Sequence, residues 1–185
     1  VQLSGREVAI IEHIVPFQKS LMSFTKAGRQ FELNAPDLLT PSTAAITPTT
    51  SYESKPVRPE IMGSMLYFLV DQIDGSLLYE YYYDDSRASN TAANVTAHVN
   101  GLLPSGLTSL ATSPNNQLVF TVAQGCDTVF AYKLHFSGER KEQSAWTKWV
   151  FDESYKIKDI AGIRNELFML IESGSLCTLD KIAVE

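Results

Sequence analysis

Four glycines frame this chain. Gly28, Gly75, Gly125 and Gly174 stand in the polar turns "TKAGR", "DQIDGS", "VAQGCD" and "IESGSL", at intervals of 47, 50 and 49 residues. Each turn separates two runs rich in Val, Ile, Leu, Phe and Tyr. A tight hairpin requires a positive φ, which penalises any residue with a Cβ and costs glycine nothing. Hairpins at a nearly constant interval mean that one small unit recurs along the chain. Internal repeats of roughly 20–50 residues are written by stacked architectures, in which no unit can bury its own apolar surface.

The units share a plan of strand, turn, stronger strand, glycine turn and third strand. They run from Val8 to Leu33, Val57 to Tyr83, Leu107 to Leu134 and Ile157 to Ile182. The turn before the second strand is polar in two of them, "SPNNQ" and "IRNE". In the third unit, "SAWTKWVF" (144–151) supplies a fourth strand, and "TAAITPTTSYE" is a weaker candidate in the first. The second offers none. There "DDSRASNTAANVTAHVNG" reads as a short helix near 89–100, with Ser89 or Asn90 as cap and Asn100-Gly101 as stop. A four-stranded antiparallel sheet recurring about every 40–50 residues is the signature of a propeller blade. The expected fold is therefore all-β: antiparallel blades of a β-propeller-like domain, with about four irregular repeats of 47–50 residues and one short helix. Candidate blades span 6–53, 55–103, 106–152 and 155–185, within a single domain or part of one. An irregular antiparallel sandwich is the alternative.

Composition narrows the function classes. Of 185 residues, 44% are hydrophobic and 19% charged, which is globular rather than disordered. The net charge is −6, and the densest basic pair, Arg140-Lys141, is flanked by Glu139 and Glu142. The basic stripe of a nucleic-acid reader is missing. No apolar run approaches the roughly 18 residues of a membrane span. The chain opens on Val1 inside what reads as a strand, so an internal portion of a longer protein is expected. Cys126 and Cys177 have neither metal nor redox spacing and read as buried free thiols, with a disulfide between repeats as the alternative.

Catalytic patterns are scarce. The chain carries no G-x-S-x-G elbow, no G-x-G-x-x-G and no Walker loop. His13, His98 and His135 fall on different units without metal-ligand spacing. Asp71 and Asp74, with Asp84 and Asp85, flank one hairpin, so paired carboxylates for glycoside chemistry or a calcium ion are conceivable on sequence grounds. Acidic residues at turn ends are also ordinary turn formers. The expectation is no catalytic, cofactor or metal site.

Aromatic residues carry more information. Period-two alternation puts Trp146 and Trp149 on opposite sheet faces, where each would fill a gap toward a neighbouring sheet. Tyr79, Tyr81 and Tyr83 share one strand face, suiting a seam between blades or a subunit interface, with sugar stacking as the alternative. These five residues and the four turn glycines are the structural and interface candidates.

The order of several stretches is similar to that in one family. "VAIIEHIVPFQKSLMSF" with Val15, Pro16 and Phe17, "GRQFEL", "TPSTAAITPTTSYES" and "KPVRPEIMGSMLYF" follow one another. The last of these contains an R-P-x-x-x-G-x-x-x-Y-F pattern at Arg58, Pro59, Gly63, Tyr67 and Phe68. Then come "YEYYYDDSRASNTAANVTAHVNGLLPSG", "VFAYKLHFSGERKEQSAWTKWVF" and "NELFMLIE", with Gln143 to Phe151 the most diagnostic. Across nearly its whole length the chain resembles the tail tubular protein B, or tail nozzle, family of short-tailed double-stranded-DNA phages. The resemblance implies a virion structural protein, assembled in the host cytoplasm and carrying no catalytic residue in this region. It further implies a hexameric ring in the full-length protein, contacts with the tail adaptor and tail fibres, and a channel that passes DNA without sequence-specific binding. A propeller-type module recognising a host-surface protein or polysaccharide is the alternative function.

Overall fold

The computed structural model describes residues 10–26, 28–35, 40, 42–137 and 140–184, with Arg140 described by its backbone alone. Residues 6–9 of the first candidate blade and Gly138-Glu139 of the "SGERKE" turn lie outside the described residues.

Each hairpin signal in the sequence becomes a hairpin, and the chain folds into four successive antiparallel meanders. The first sheet is β1 (Ile11–Phe17), β2 (Ser20–Thr25), β3 (Gln30–Asn34) and β4 (Ala45–Thr50). The second is β5 (Glu60–Met62), β6 (Met65–Gln72), β7 (Gly75–Asp84) and β8 (Ser89–Asn94). The third is β9 (Leu107–Ser113), β10 (Leu118–Ala123), β11 (Thr128–Ser137) and β12 (Arg140–Val150). The fourth has β13 (Lys156–Ile163), β14 (Glu166–Ser173) and β15 (Leu176–Ala183). Strand order follows chain order in every sheet. Gly28, Gly125 and Gly174 sit between the second and third strands of their sheets at φ 73°, 78° and 62°, and Gly75 is the first residue of its third strand at φ 151°.

The first turn of each unit has its own left-handed residue, which composition conceals because only one is glycine. Gln18, Gly63 and Arg164 open two-residue loops at φ 53°, 62° and 56°, and Gln117 closes the longer third loop at 53°. Right-handed strand twist favours such loops over ordinary type I turns.

Two expectations are corrected. The helix near 89–100 is absent: Ser89–Asn94 is the strand β8, paired in register with β7 from Asp84↔Ser89 to Tyr79↔Asn94, and turns follow it. Ala92 and Ala93 favour helix intrinsically, yet Ala92 stands opposite Tyr81 and packs on the core, where a small side chain leaves room for the phenol. The irregular unit is thus not the second but the fourth, which has three strands. Cys126 and Cys177 are exposed free thiols rather than buried ones. Cys126 lies in the loop after Gly125, where the Gly125 amide donates to the Ile157 carbonyl and the Ile157 amide to the Cys126 carbonyl. Cys177 belongs to β15, whose residues are exposed almost throughout.

The chain divides into two compact units. One comprises residues up to Gln72 with Leu77–Val99, and the other Ile73–Ser76 with the chain from Asn100 onward. In the first, Val15, Phe17, Met22 and Phe24 meet Leu66, Phe68, Val70, Leu77 and Tyr81, joining the two inner sheet faces in one core. In the second, Phe120, Val122, Val129 and Ala131 meet Ile157, Ile160, Leu167, Met169 and Ile171. Each fully buried aliphatic or aromatic side chain contributes roughly 1.5–3 kcal/mol, so the packing of sheet on sheet is the main source of stability in both units.

Two glycines are required by space rather than only by φ. A Cβ on Gly75 would lie 2.5 Å from the Leu103 carbonyl oxygen, and one on Gly162 would lie 2.0 Å from that of Thr112. Gly174 meets nothing within 4 Å. Gly75→Ala and Gly162→Ala are each expected to cost about 3 kcal/mol or more, because backbone must move. Gly174→Ala should cost only about 1 kcal/mol, the penalty for a Cβ in the left-handed region. Chemical denaturation of the three variants checks this ranking.

Candidate functional site

The features that could carry function are the seams between paired sheets and the apolar surface left uncovered. In the first unit the seam is aromatic. On β7, Leu77, Tyr79 and Tyr81 alternate toward the core, and Tyr83, the next in the row, emerges into solvent. Tyr81 meets Phe17 edge-on at 5.7 Å between centroids. Phe68 stacks on Tyr79 at 5.6 Å and tilts against Phe24 at 5.4 Å. Tyr52 completes the group, 4.4 Å from Tyr79 and 6.2 Å from Phe68. Offset and edge-on pairs of this kind add about 0.5–1.5 kcal/mol beyond area burial.

Tyr52 is fixed by a residue to which strand alternation gives no special place. Gln30 is completely buried, and its amide nitrogen donates to the Tyr52 carbonyl at 2.6 Å. Its amide oxygen accepts from the Tyr52 backbone amide at 3.1 Å and from the Thr50 hydroxyl at 2.8 Å. A buried amide with its hydrogen bonds satisfied locks the chain leaving β4 against the seam. The sequence signals it only as a polar residue at the start of a strand whose other residues are half-buried.

The second unit places Trp146 and Trp149 on opposite faces of its first sheet. Trp149, opposite Val129, packs on Phe120 at 5.2 Å and flanks the core. Trp146, opposite Tyr132, tilts against that ring at 4.9 Å. The polar turns "SPNNQ" and "IRNE" meet each other. The Ser113 hydroxyl donates to the Arg164 carbonyl at 3.1 Å, and the Asn115 amide to the Asn165 side chain at 2.8 Å. Ser109 donates to the Asp159 carboxylate, and Asn116 to the Val184 carbonyl.

Two of the four acidic candidates, Asp71 and Asp84, are engaged in structure. Lys55 holds Asp71 at 2.7 Å, and Asp74 lies exposed in the turn before Gly75. Asp84 accepts from the Ser86 amide at 2.9 Å and its hydroxyl at 2.6 Å, with Arg87 at 3.5 Å; the Ser86 hydroxyl contributes most to holding this carboxyl below the usual range. Asp152 with Ser154 and Asn94 with Thr96 repeat the same two-residue motif, an ordinary device for turning the chain. Asp85 is exposed beside Asp84. Among the described residues, no group of three or more His, Cys, Asp and Glu side chains is placed to hold a metal ion. No helix among them is long and apolar enough to cross a membrane.

Uncovered apolar residues concentrate on the first sheet of the first unit and the last sheet of the second. Ile10, Ile11 and Ile14 are 48–59% exposed at β1, whereas Leu176 and Leu179 are 69% and 67% exposed on β15. Beside the end of β15 runs an open apolar groove of about 400 Å³, lined by Leu118, Trp149, Val150, Phe151, Ile182 and the chain that follows.

Two comparisons bear on these features. The model of a family described as "Bacteriophage nozzle protein" matches residues 1–185. The chain is also similar to the tail tubular protein gp12 of Escherichia phage T7, at 24% identity over 176 residues. That match covers 94% of this chain and 22% of the T7 protein, so the chain spans about a fifth of its relative's length.

Burial pushes the Tyr81 hydroxyl up from 10.0 to about 12, with a smaller push from the Glu32 carboxylate. The neutral phenol is therefore the form the fold accepts. Its stabilisation is complete below pH 10 and is lost as pH rises from 10 to 12. Thr49 and Asn90 face the hydroxyl and oppose part of this shift, but no hydrogen bond of good geometry reaches it, so Tyr81→Phe should change stability at pH 7 by less than about 1 kcal/mol. The substitution should visibly flatten the fall in melting temperature between pH 10 and pH 11. Thermal melts of both proteins across that range test the assignment.

Proposed function

Since the chain belongs to the bacteriophage nozzle protein family, we propose that it forms part of the wall of a phage tail tube, through which genomic DNA leaves the particle. The observation that carries this reading is the collinear match over the whole chain, joined to a structure made of repeated stiff sheets. In this reading the four meanders are blades of one propeller-like domain. The full-length protein closes as a hexameric ring between the tail adaptor and the distal tail parts, with fibres attached, in a virion assembled in the host cytoplasm.

The physical features suit a conduit. Sheets locked by aromatic and aliphatic seams deform little, because close-packed interiors have low compressibility. Tyr79 and Tyr81 serve the seam between two sheets, which favours the structural reading over a sugar-stacking platform and leaves Tyr83 as the exposed member of the row. The net charge of −6 fits a surface past which a duplex slides. A basic lumen would hold phosphates through counterion release, with an affinity falling steeply as salt rises. An acidic one repels them.

Electron microscopy of the full-length protein mixed with its adaptor is expected to show a hollow closed ring. Open or solid assemblies would refute the conduit. The same protein should bind duplex DNA no more tightly than about 10⁻⁴ M at physiological salt, the weak end of non-specific binding. Tight binding that weakens sharply with salt would refute the sliding surface.

A further inference from the structure

The edges of the four sheets are not equally protected. An unpaired strand edge is a template for another strand, and proteins blunt it with proline, bulges, charge or short length. β1 carries Pro16 and a register shift after Ile11, and β4 carries Pro48 and an extra residue opposite the step from Gln30 to Phe31. β5 has three residues, and β8 six, mostly polar or small. The ladders of β9, β12 and β13 each contain a register shift. β15 has no proline, bulge or short length to guard it, and its two charged residues, Asp180 and Lys181, both fall in its second half. It makes eight consecutive pairs with β14, from Ser173↔Leu176 to Glu166↔Ala183, without shift or proline. Its first half, Leu176-Cys177-Thr178-Leu179, is uncharged.

The face and flank of this strand are unfinished as well. Leu179 stands opposite Leu170, itself 38% exposed, so the outer face presents an aliphatic pair to water. On the inner side, Ile182 meets the groove of about 400 Å³ whose far wall is Trp149 and Phe151. In the other three sheets a fourth antiparallel strand follows the third in order. In the third sheet that strand is β12, which sends Trp149 onto the core. The groove lies where the core-facing side chains of an equivalent strand beside β15 would pack.

We infer that the free edge of β15 is an intramolecular docking site, completed by a fourth antiparallel strand from the same polypeptide outside these 185 residues. Main-chain hydrogen bonds supply the affinity, and alternate apolar side chains supply the fit, one set filling the groove beside Ile182 and the other covering Leu179. The same polypeptide is favoured over a second copy for two reasons. Each of the other sheets is completed from its own chain, and the T7 relative has most of its length beyond the matched stretch.

Residue-resolved amide exchange on the full-length protein tests this. All amides from Leu176 to Ala183 should be slowed about 100-fold or more relative to unstructured chain, independently of protein concentration. Rapid exchange at every second amide would mean a free edge and overturn the inference. Uniform protection that appears only on raising the concentration would assign the site to another copy and equally overturn it. A proline pair gives a second readout, because proline is tolerated in a strand only where its missing N–H faced no partner. Thr178→Pro and Leu179→Pro point these sites to opposite edges of β15. Both should lower the melting temperature of the full-length protein; a loss confined to one of them would show the outer edge unpaired.

Discussion

The constraint on which everything else rests is that a three- or four-stranded meander has two faces and only one can be left to water. Each sheet here carries Phe, Leu, Ile, Met or Tyr on a face it cannot cover by itself, and stability comes from setting one inner face against another. Phe17 and Phe24 depend on Phe68 and Tyr81, and Phe120 depends on Ile157, Met169 and Trp149. No meander is expected to persist alone, because the interactions within it are mostly hairpin hydrogen bonds that water can replace. The repeat is thus a physical necessity as much as a sequence pattern: the unit is stable only in company.

That dependence explains what could be read from the sequence. Turn glycines were legible because a positive φ is a local demand with a local solution: three lie in the turn between the second and third strands of their sheets, and Gly75 opens the third strand of its own. The opposed faces of Trp146 and Trp149 were legible because strand alternation is geometric. The strand β8 was not, since its evidence lies in Tyr79, Tyr81 and Tyr83 across the ladder while its own Ala, Asn and Thr residues favour other conformations. Gln30 and Tyr52, the lock and the key of the aromatic seam, are 22 residues apart and acquire meaning only when β3 and the end of β4 are adjacent. The left-handed positions Gln18, Gln117 and Arg164 were hidden for a related reason: the turn imposes the conformation, and the residues pay its strain without advertising it.

The two exposed thiols make the same point from the other side. Cysteine is among the most buried residue types. Yet Cys126 is carried into a loop by Gly125, and Cys177 is carried outward by the register of β15. Residue type sets a tendency; the position in the meander decides.

The proposed role in a tube wall asks for little residue chemistry, and among the described residues no group of three or more acidic, histidine and cysteine side chains is placed to hold a metal ion. What such a protein must specify is which sheet edge and which face stay available. Guarded edges and satisfied turn carboxylates remove most of the surface from unwanted association, at small energetic cost, by bulges, prolines and short strands. Against that background, an eight-residue ladder without irregularity and an open apolar groove beside it cannot be explained as neutral surface. In water, the same edge would invite indiscriminate strand pairing. Its persistence in an otherwise guarded molecule is reasonable only if another strand occupies it in the finished protein.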